Sequence, residues 1–426
     1  MAEKKRTRWQ RRPGTTGGKL PWNDWRNATT WRKATQLLLL AMNIYIAITF
    51  WYWVRYYETA GSTTFVARPG GIEGWLPIAG LMNLKYSLAT GQLPSVHAAA
   101  MLLLVAFIVI SLLLKKAFCS WLCPVGTLSE LIGDLGNKLF GRQCVLPRWL
   151  DIPLRGVKYL LLSFFLYIAL LMPAQAIHYF MLSPYSVVMD VKMLDFFRHM
   201  GTATLISMIV LLIASLFIRH AWCRYLCPYG ALMGVVSLLS PFKIRRNAES
   251  CIDCGKCAKS CPSRIPVDKL IQVRTVECTG CMTCVESCPV ASTLTFSLQK
   301  PAANKKAFAL SGWLMTLLVL GIMFAVIGYA MYAGVWQSPV PEELYRRLIP
   351  QAPMIGHEIS NKRNITSHGV MFTKSHYFDF DIITFKPGHF FSCGEANFRD
   401  FFPCILVQLG DFLRDKVGDF RFGLFF

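Results

Sequence analysis

Long apolar runs divide this chain. A helix needs about 20 mostly apolar residues to cross a bilayer. Stretches of about that length lie near 35–54 (TQLLLLAMNIYIAITFWYWV), 96–114, 157–177 (VKYLLLSFFLYIALLMPAQAI), 201–218 and 307–334. Trp, Tyr, Lys and Arg flank them, as they flank spans at membrane–water interfaces. A single run of this kind suits a buried core helix equally well. Five of them with such flanks favour an integral membrane protein.

The polar segments between the runs alternate in charge. The start (MAEKKRTRWQRRPGTTGGKL), the stretch 115–158 and the stretch 219–306 are rich in Lys and Arg, whereas 55–95 and 178–200 are poorer in them. Positive loops stay in the cytoplasm, so odd runs point outward and even runs inward. The apolar run after the basic start is too long for a signal peptide and has no small-residue cleavage site, so it should stay as an anchor. The expected fold is an α-helical integral membrane protein of about five spans, arranged as two parallel hairpin repeats, with an inserted α+β segment. Its parts are a basic cytoplasmic tail (1–34), a four-helix membrane domain (35–240), the insert (241–300), a fifth span (301–340) and a C-terminal segment (341–426).

Composition agrees with this pattern. Of the 426 residues, 54% are hydrophobic and 16% charged, against about 45–50% and about 25% in soluble domains. The formal charge of +21 raises nucleic acid as a partner. The basic residues sit beside the apolar runs, however, and no DNA-binding module is present, so membrane lipid is the expected partner. The fifteen cysteines are spaced as for metal rather than as a secreted disulfide framework.

Residues 251–262 read CIDCGKCAKSCP and residues 278–289 read CTGCMTCVESCP. Each is Cys-x2-Cys-x2-Cys-x3-Cys-Pro, the run that holds two iron–sulfur cubes in bacterial ferredoxins. Three close thiolates wrap one cube and the fourth, just before Pro, turns to the other. One [4Fe-4S] cluster should therefore take Cys251, Cys254, Cys257 and Cys288, and the second Cys278, Cys281, Cys284 and Cys261. Zinc sites also use Cys-x2-Cys but rarely repeat this whole pattern.

A second cysteine pattern closes the two hairpins: FCSWLCPVG at 118–126 and WCRYLCPYG at 222–230. Cys119 and Cys123, like Cys223 and Cys227, stand four apart and share a helix face. Pro and Gly then mark a bend. The pairs meet as ligands of a further iron or iron–sulfur centre, or they are four buried structural thiols.

With these four motifs the chain resembles the NapH/NosR/CcoG-type membrane iron–sulfur proteins over roughly residues 30–340. The resemblance implies a multi-pass protein of the bacterial inner membrane with its ferredoxin segment in the cytoplasm. It further implies electron transfer between quinol, or a cytoplasmic donor, and a partner redox protein. NosR-type members often add a flavin domain that has no counterpart here, which points towards NapH or towards short electron-transport relatives. Two other functions remain open: reduction of a metal such as copper during cofactor maturation, as in CcoG, and a membrane-anchored regulator.

Other residues carry weaker expectations. His97 and His178 fall near the outer surface and suit a quinone contact or a haem, or are ordinary interfacial histidines. His220 lies three residues before Cys223. Cys144 has no partner at ligand spacing and reads as structural. Cys393 and Cys404 suit an external disulfide in a C-terminal segment, from about Asn361, that has no helical periodicity and is expected to be loosely ordered.

Overall fold

Asn27 opens the first helix, its side-chain oxygen accepting from the Thr29 amide at 3.0 Å. An Asn at this position satisfies an amide the helix leaves unpaired. Helix α1 then runs over Ala28–Glu58. The computed structural model describes residues 27–141, 144, 146–290, 292–298 and 308–355. Cys393, Cys404, the C-terminal segment beyond 355 and the basic start before 27 lie outside the described residues.

After α1 the chain makes a helix the apolar pattern did not predict, α2 (Pro77–Thr90), opened by Pro77 and closed by Gly91 at φ +70°. Next come α3 (Ala98–Leu114), α4 (Pro124–Phe140), α5 (Arg148–Leu171), α6 (Ala174–Met181), α7 (Pro184–Val187) and α8 (Met189–Arg198). They are followed by α9 (Thr202–Phe217), α10 (Ala221–Tyr225) and α11 (Pro228–Val236). The insert holds β1 (Lys243–Arg246), α12 (Lys256–Ser260), α13 (Thr283–Glu286) and β2 (Leu294–Ser297). Helices α14 (Gly312–Tyr332) and α15 (Glu342–Leu348) follow. Outside 201–205 the described chain forms one unit.

Among the described residues, α1, α5 and α14 are long and apolar enough to cross a membrane. The pair α8 and α9, bent by 79°, counts as a fourth span if taken together. The second and fourth apolar runs give helices of only 17 and 16 residues. At 1.5 Å per residue these reach about 26 and about 24 Å, short of a core about 30 Å thick. At α3 the cause is local, since its C-cap Lys115 stands at φ +59°; α9 stops at Phe217, and His220, at φ +56°, then opens α10. Helix α3 is also buried along most of its length, packed against α2, α11 and α14. A helix apolar all round suits the inside of a bundle as well as a bilayer.

One core joins the helices to the insert. Leu104 and Ile110 of α3 and Met315 and Val319 of α14 share it with Ile244 of β1 and Phe296 of β2. The strands pair antiparallel, with Ile244 opposite Phe296. A separate cluster holds Phe50, Trp53 and Tyr57 against Val187, Val191, Tyr345 and Leu348.

Candidate iron–sulfur site

The insert folds its two cysteine runs around two cavities. One is lined by Cys251, Cys254, Cys257 and Cys288. The other is lined by Cys261, Cys278, Cys281 and Cys284. In each, three thiols come from one run and the fourth from the other. Among the described residues no three His, Cys, Asp or Glu side chains converge closely enough to hold one metal ion. Four thiols spread around a cavity suit a multi-iron cube better than a single tetrahedral ion.

The two cavities differ in setting. Cys254 is exposed, whereas Cys278, Cys281 and Cys284 are buried. Burial pushes the Cys278 thiol up to about 11, against the pull of the Gly280 amide. Gly280 is at φ +64°, and a Cβ there would stand 3.1 Å from the Leu114 carbonyl oxygen. The left-handed turn and the close approach together call for glycine.

The two cysteine pairs occupy equivalent junctions. Cys123 precedes α4 and Cys227 precedes α11, each followed by Pro at the first helical position, where its missing N–H costs nothing. The Gly230 amide donates to Cys227 Sγ at 3.2 Å. Cys119 lies on a π-helical turn over Phe118–Leu122 and Cys223 on α10. Cys123 and Cys227 are extended residues just beyond them, because the Pro that follows each opens a new helix. Neither pair therefore shares the helix face its spacing predicts. Phe118 of the first segment meets Tyr229 of the second edge to face, ring centroids 5.7 Å apart. Burial pushes Cys119 up to about 12, Cys123 to about 11, and Cys223 upward. The four thiols lie close enough for their charges to interact, which brings the pairs together.

Each pair has its own anchor. Ser120 Oγ donates to the Thr279 carbonyl at 2.7 Å and Trp121 Nε1 to the Gly280 carbonyl at 3.3 Å, so the first segment rests on the second ferredoxin run. The second segment is fastened to α5. Arg224 donates to Asp151 at 3.0 and 2.9 Å, and the Tyr225 hydroxyl donates to it at 2.8 Å.

Between the pairs and the insert lies a cavity of about 300 Å³ whose walls include Cys119, Cys223 and Cys281. Its lining is strongly charged: Arg32, Lys33, Lys116, Arg219 and Arg224 face Glu130, Asp134 and Glu277. Arg32 grips Glu130 at 2.5 and 2.8 Å, and Lys158 reaches Glu277 at 2.6 Å. His220 also lines it, and burial pushes its ring down to about 4, leaving it neutral at pH 7. Lys116, Glu277, Lys158 and Asp151 escaped the reading of the sequence. The sole signal was the Lys115–Lys116 doublet, which reads as a topology marker.

The other singled-out residues keep separate surroundings. His97 is buried, with Nε2 2.8 Å from the Ser186 carbonyl oxygen and Nδ1 3.4 Å from Glu73. Arg68 bridges Glu73 at 3.2 Å and Asp190 at 2.8 Å, and Ser338 donates to Glu73 at 2.8 Å. His178 stacks on Tyr86 with ring centroids 5.4 Å apart. Cys144 is exposed, its carbonyl accepting from Arg264 at 3.1 Å.

A family model described as a 4Fe-4S binding domain matches residues 96–143 and again 200–247, and one described as a 4Fe-4S dicluster domain matches 243–289. The chain is 98% identical over 357 residues to the electron transport protein YccM of Escherichia coli, covering 84% of this chain and all of that protein. It is 27% identical over 207 residues to the ferredoxin-type protein NapH of the same organism, 46% of this chain and 67% of NapH. To the regulatory protein NosR of Pseudomonas aeruginosa it is 30% identical over 193 residues, 44% of this chain and 26% of NosR. No solved structure matches it.

Proposed function

Because the chain belongs to the NapH/NosR-type family of iron–sulfur electron-transport proteins, we propose that it relays electrons from quinol to a partner redox protein. Two [4Fe-4S] clusters sit in the insert, on Cys251, Cys254, Cys257 and Cys288 and on Cys278, Cys281, Cys284 and Cys261. A third centre is held by Cys119, Cys123, Cys223 and Cys227. Such clusters supply one-electron transfer at potentials set by burial, charge and hydrogen bonds to sulfur. The protein crosses the bacterial inner membrane several times, with the insert in the cytoplasm.

One observation carries this reading. The segment bearing Cys119 and Cys123 is hydrogen-bonded to the backbone of the second ferredoxin run, through Ser120 to Thr279 and Trp121 to Gly280. The pairs and the buried cavity are thus neighbours, and the exposed Cys254 marks the other cavity as the exit towards a soluble partner. At the outer side quinol gives up two electrons and two protons to become quinone. His178 is the better placed of the two histidines to meet it, since His97 Nε2 is engaged with Ser186.

Iron and sulfide per chain, with EPR, test the third centre in the wild type and in Cys123→Ser/Cys227→Ser. More iron in the wild type than in the variant is expected. About eight irons in both, the content of two cubes, would exclude the third centre. Anaerobic addition of a quinol tests the donor: reduced clusters are expected. A second reading is favoured by the charged cavity beside Cys119 and Cys223, which a metal ion such as copper(II) can enter to take one electron. Copper reduction without any reduction by quinol would select it.

A further inference from the structure

We propose that Lys116 is a positioning residue whose ammonium raises the reduction potential of the centre at the two cysteine pairs. The inference rests on the third centre proposed above. Lys115 and Lys116 are both buried, and they diverge. Lys115 directs its ammonium at the Thr275 carbonyl, 3.5 Å away, on the side of Cys278. Lys116 turns the other way, towards the pairs.

Its path crosses from one repeat to the other. Lys116 precedes Cys119 by three residues, yet its Nζ lies 3.6 Å from the point a Cβ on Gly230 would occupy. Cys227 Sγ lies 3.6 Å from the same point. The charge of Lys116 also reaches the thiols of Cys119, Cys123 and Cys223. One ammonium therefore stands beside Cys227 and within charge range of the other three candidate ligands.

Among the described residues no carboxylate pairs with that ammonium at contact distance. Arg32, Lys33, Arg219 and Arg224 each have a carboxylate at 2.5, 3.8, 2.5 and 2.9 Å. Among the described residues no ion pair or hydrogen bond ends on Lys116 Nζ. Glu277, which feels its charge, is bonded to Lys158. A cation is costly to bury unless an opposite charge compensates it. A thiolate-ligated iron centre supplies that charge. One-electron reduction adds one more negative charge without taking up a proton, so a nearby fixed cation stabilises the reduced form more than the oxidised one.

Redox titrations followed by EPR test this in the purified holoprotein, wild type against Lys116→Gln, Lys116→Arg and Lys115→Gln. In Lys116→Gln the signal of the third centre, at the cysteine pairs and called the edge centre below, should move to more negative potential. At a fixed potential its reduced-to-oxidised ratio should fall at least tenfold, a shift of about 59 mV for one electron. Lys116→Arg should restore it, and Lys115→Gln should leave it in place. An unmoved edge signal in Lys116→Gln, an equal shift of all signals, or loss of the edge iron in both Lys116 variants would overturn the proposal. A wild type holding iron for two cubes only would overturn the third centre as well, so the two failures are told apart.

Discussion

The two cysteine-pair segments share a sequence pattern and differ in what they lean on. The first, Phe118–Leu122, is a buried turn bonded to the insert through Ser120 and Trp121. The second, Ala221–Tyr225, is tied to α5 through Arg224 and Tyr225 on Asp151. One half of the site is thus referenced to the ferredoxin segment and the other to the long apolar helix α5. The difference extends to their glycines. A Cβ on Gly126 would come within 2.3 Å of the Cys119 carbonyl oxygen, whereas one on Gly230 meets nothing nearer than 3.6 Å. A repeated motif has two equal copies in sequence and two unequal supports in space.

The largest test of this asymmetry is at the glycines. Gly126→Ala should displace Cys119, lower stability by about 3 kcal/mol and lose the edge iron. Gly230→Ala should change stability by less than about 1 kcal/mol. Iron content and unfolding in detergent measure both, and equal behaviour of the two variants would remove the asymmetry.

The first segment is also held from below. Gln36 donates to the Ser120 carbonyl at 2.9 Å and to Glu130 at 3.1 Å, and Arg32 binds the same carboxylate. Burial opposes the Glu130 charge, but Arg32 outweighs it and holds the carboxyl at about 2, against 4.5. A depressed carboxylate stabilises the fold above its unfolded value and loses that contribution as pH falls towards its folded one. Glu130→Gln should therefore cost about 3 kcal/mol at pH 7. The gap to the wild type should close between about pH 4.5 and 2, read from denaturant unfolding across pH.

The second segment has its own lever. Asp151→Asn should weaken the hold on Arg224 and Tyr225 by about 2 kcal/mol. It should disturb EPR of the edge centre while leaving the two ferredoxin signals unchanged. Smallest is Ser120→Ala, at about 1 kcal/mol. Stopped-flow reduction should show slower passage of electrons to the insert, with no change in total iron. If Asp151→Asn altered the ferredoxin signals instead, the division of supports would be wrong.

Iron–sulfur chemistry was legible from spacing alone, because thiols three and four positions apart have few other uses in that repeat. The apolar runs located α1, α5 and α14 for the same kind of reason: length and composition suffice for a span. The short helices α3 and α9 were not legible as short. A left-handed residue such as Lys115 carries no strong sequence signature, unlike the glycine of Gly91. Nor does an apolar run say whether lipid or protein will cover it, and α3 is covered by α2, α11 and α14. Lys116 stayed hidden because a lysine at the end of an apolar run is usually a topology marker, and only distances reveal where its ammonium goes.

The continuous core also makes the insert inseparable from its frame. Ile244 and Phe296 share their apolar contacts with Leu104 and Met315. Residues 241–300 excised as a small soluble ferredoxin would present that face to water and stick to one another. Swapping the insert between relatives would succeed only if α3 and α14 travelled with it. The electron carrier here is part of the building rather than a cartridge plugged into its wall.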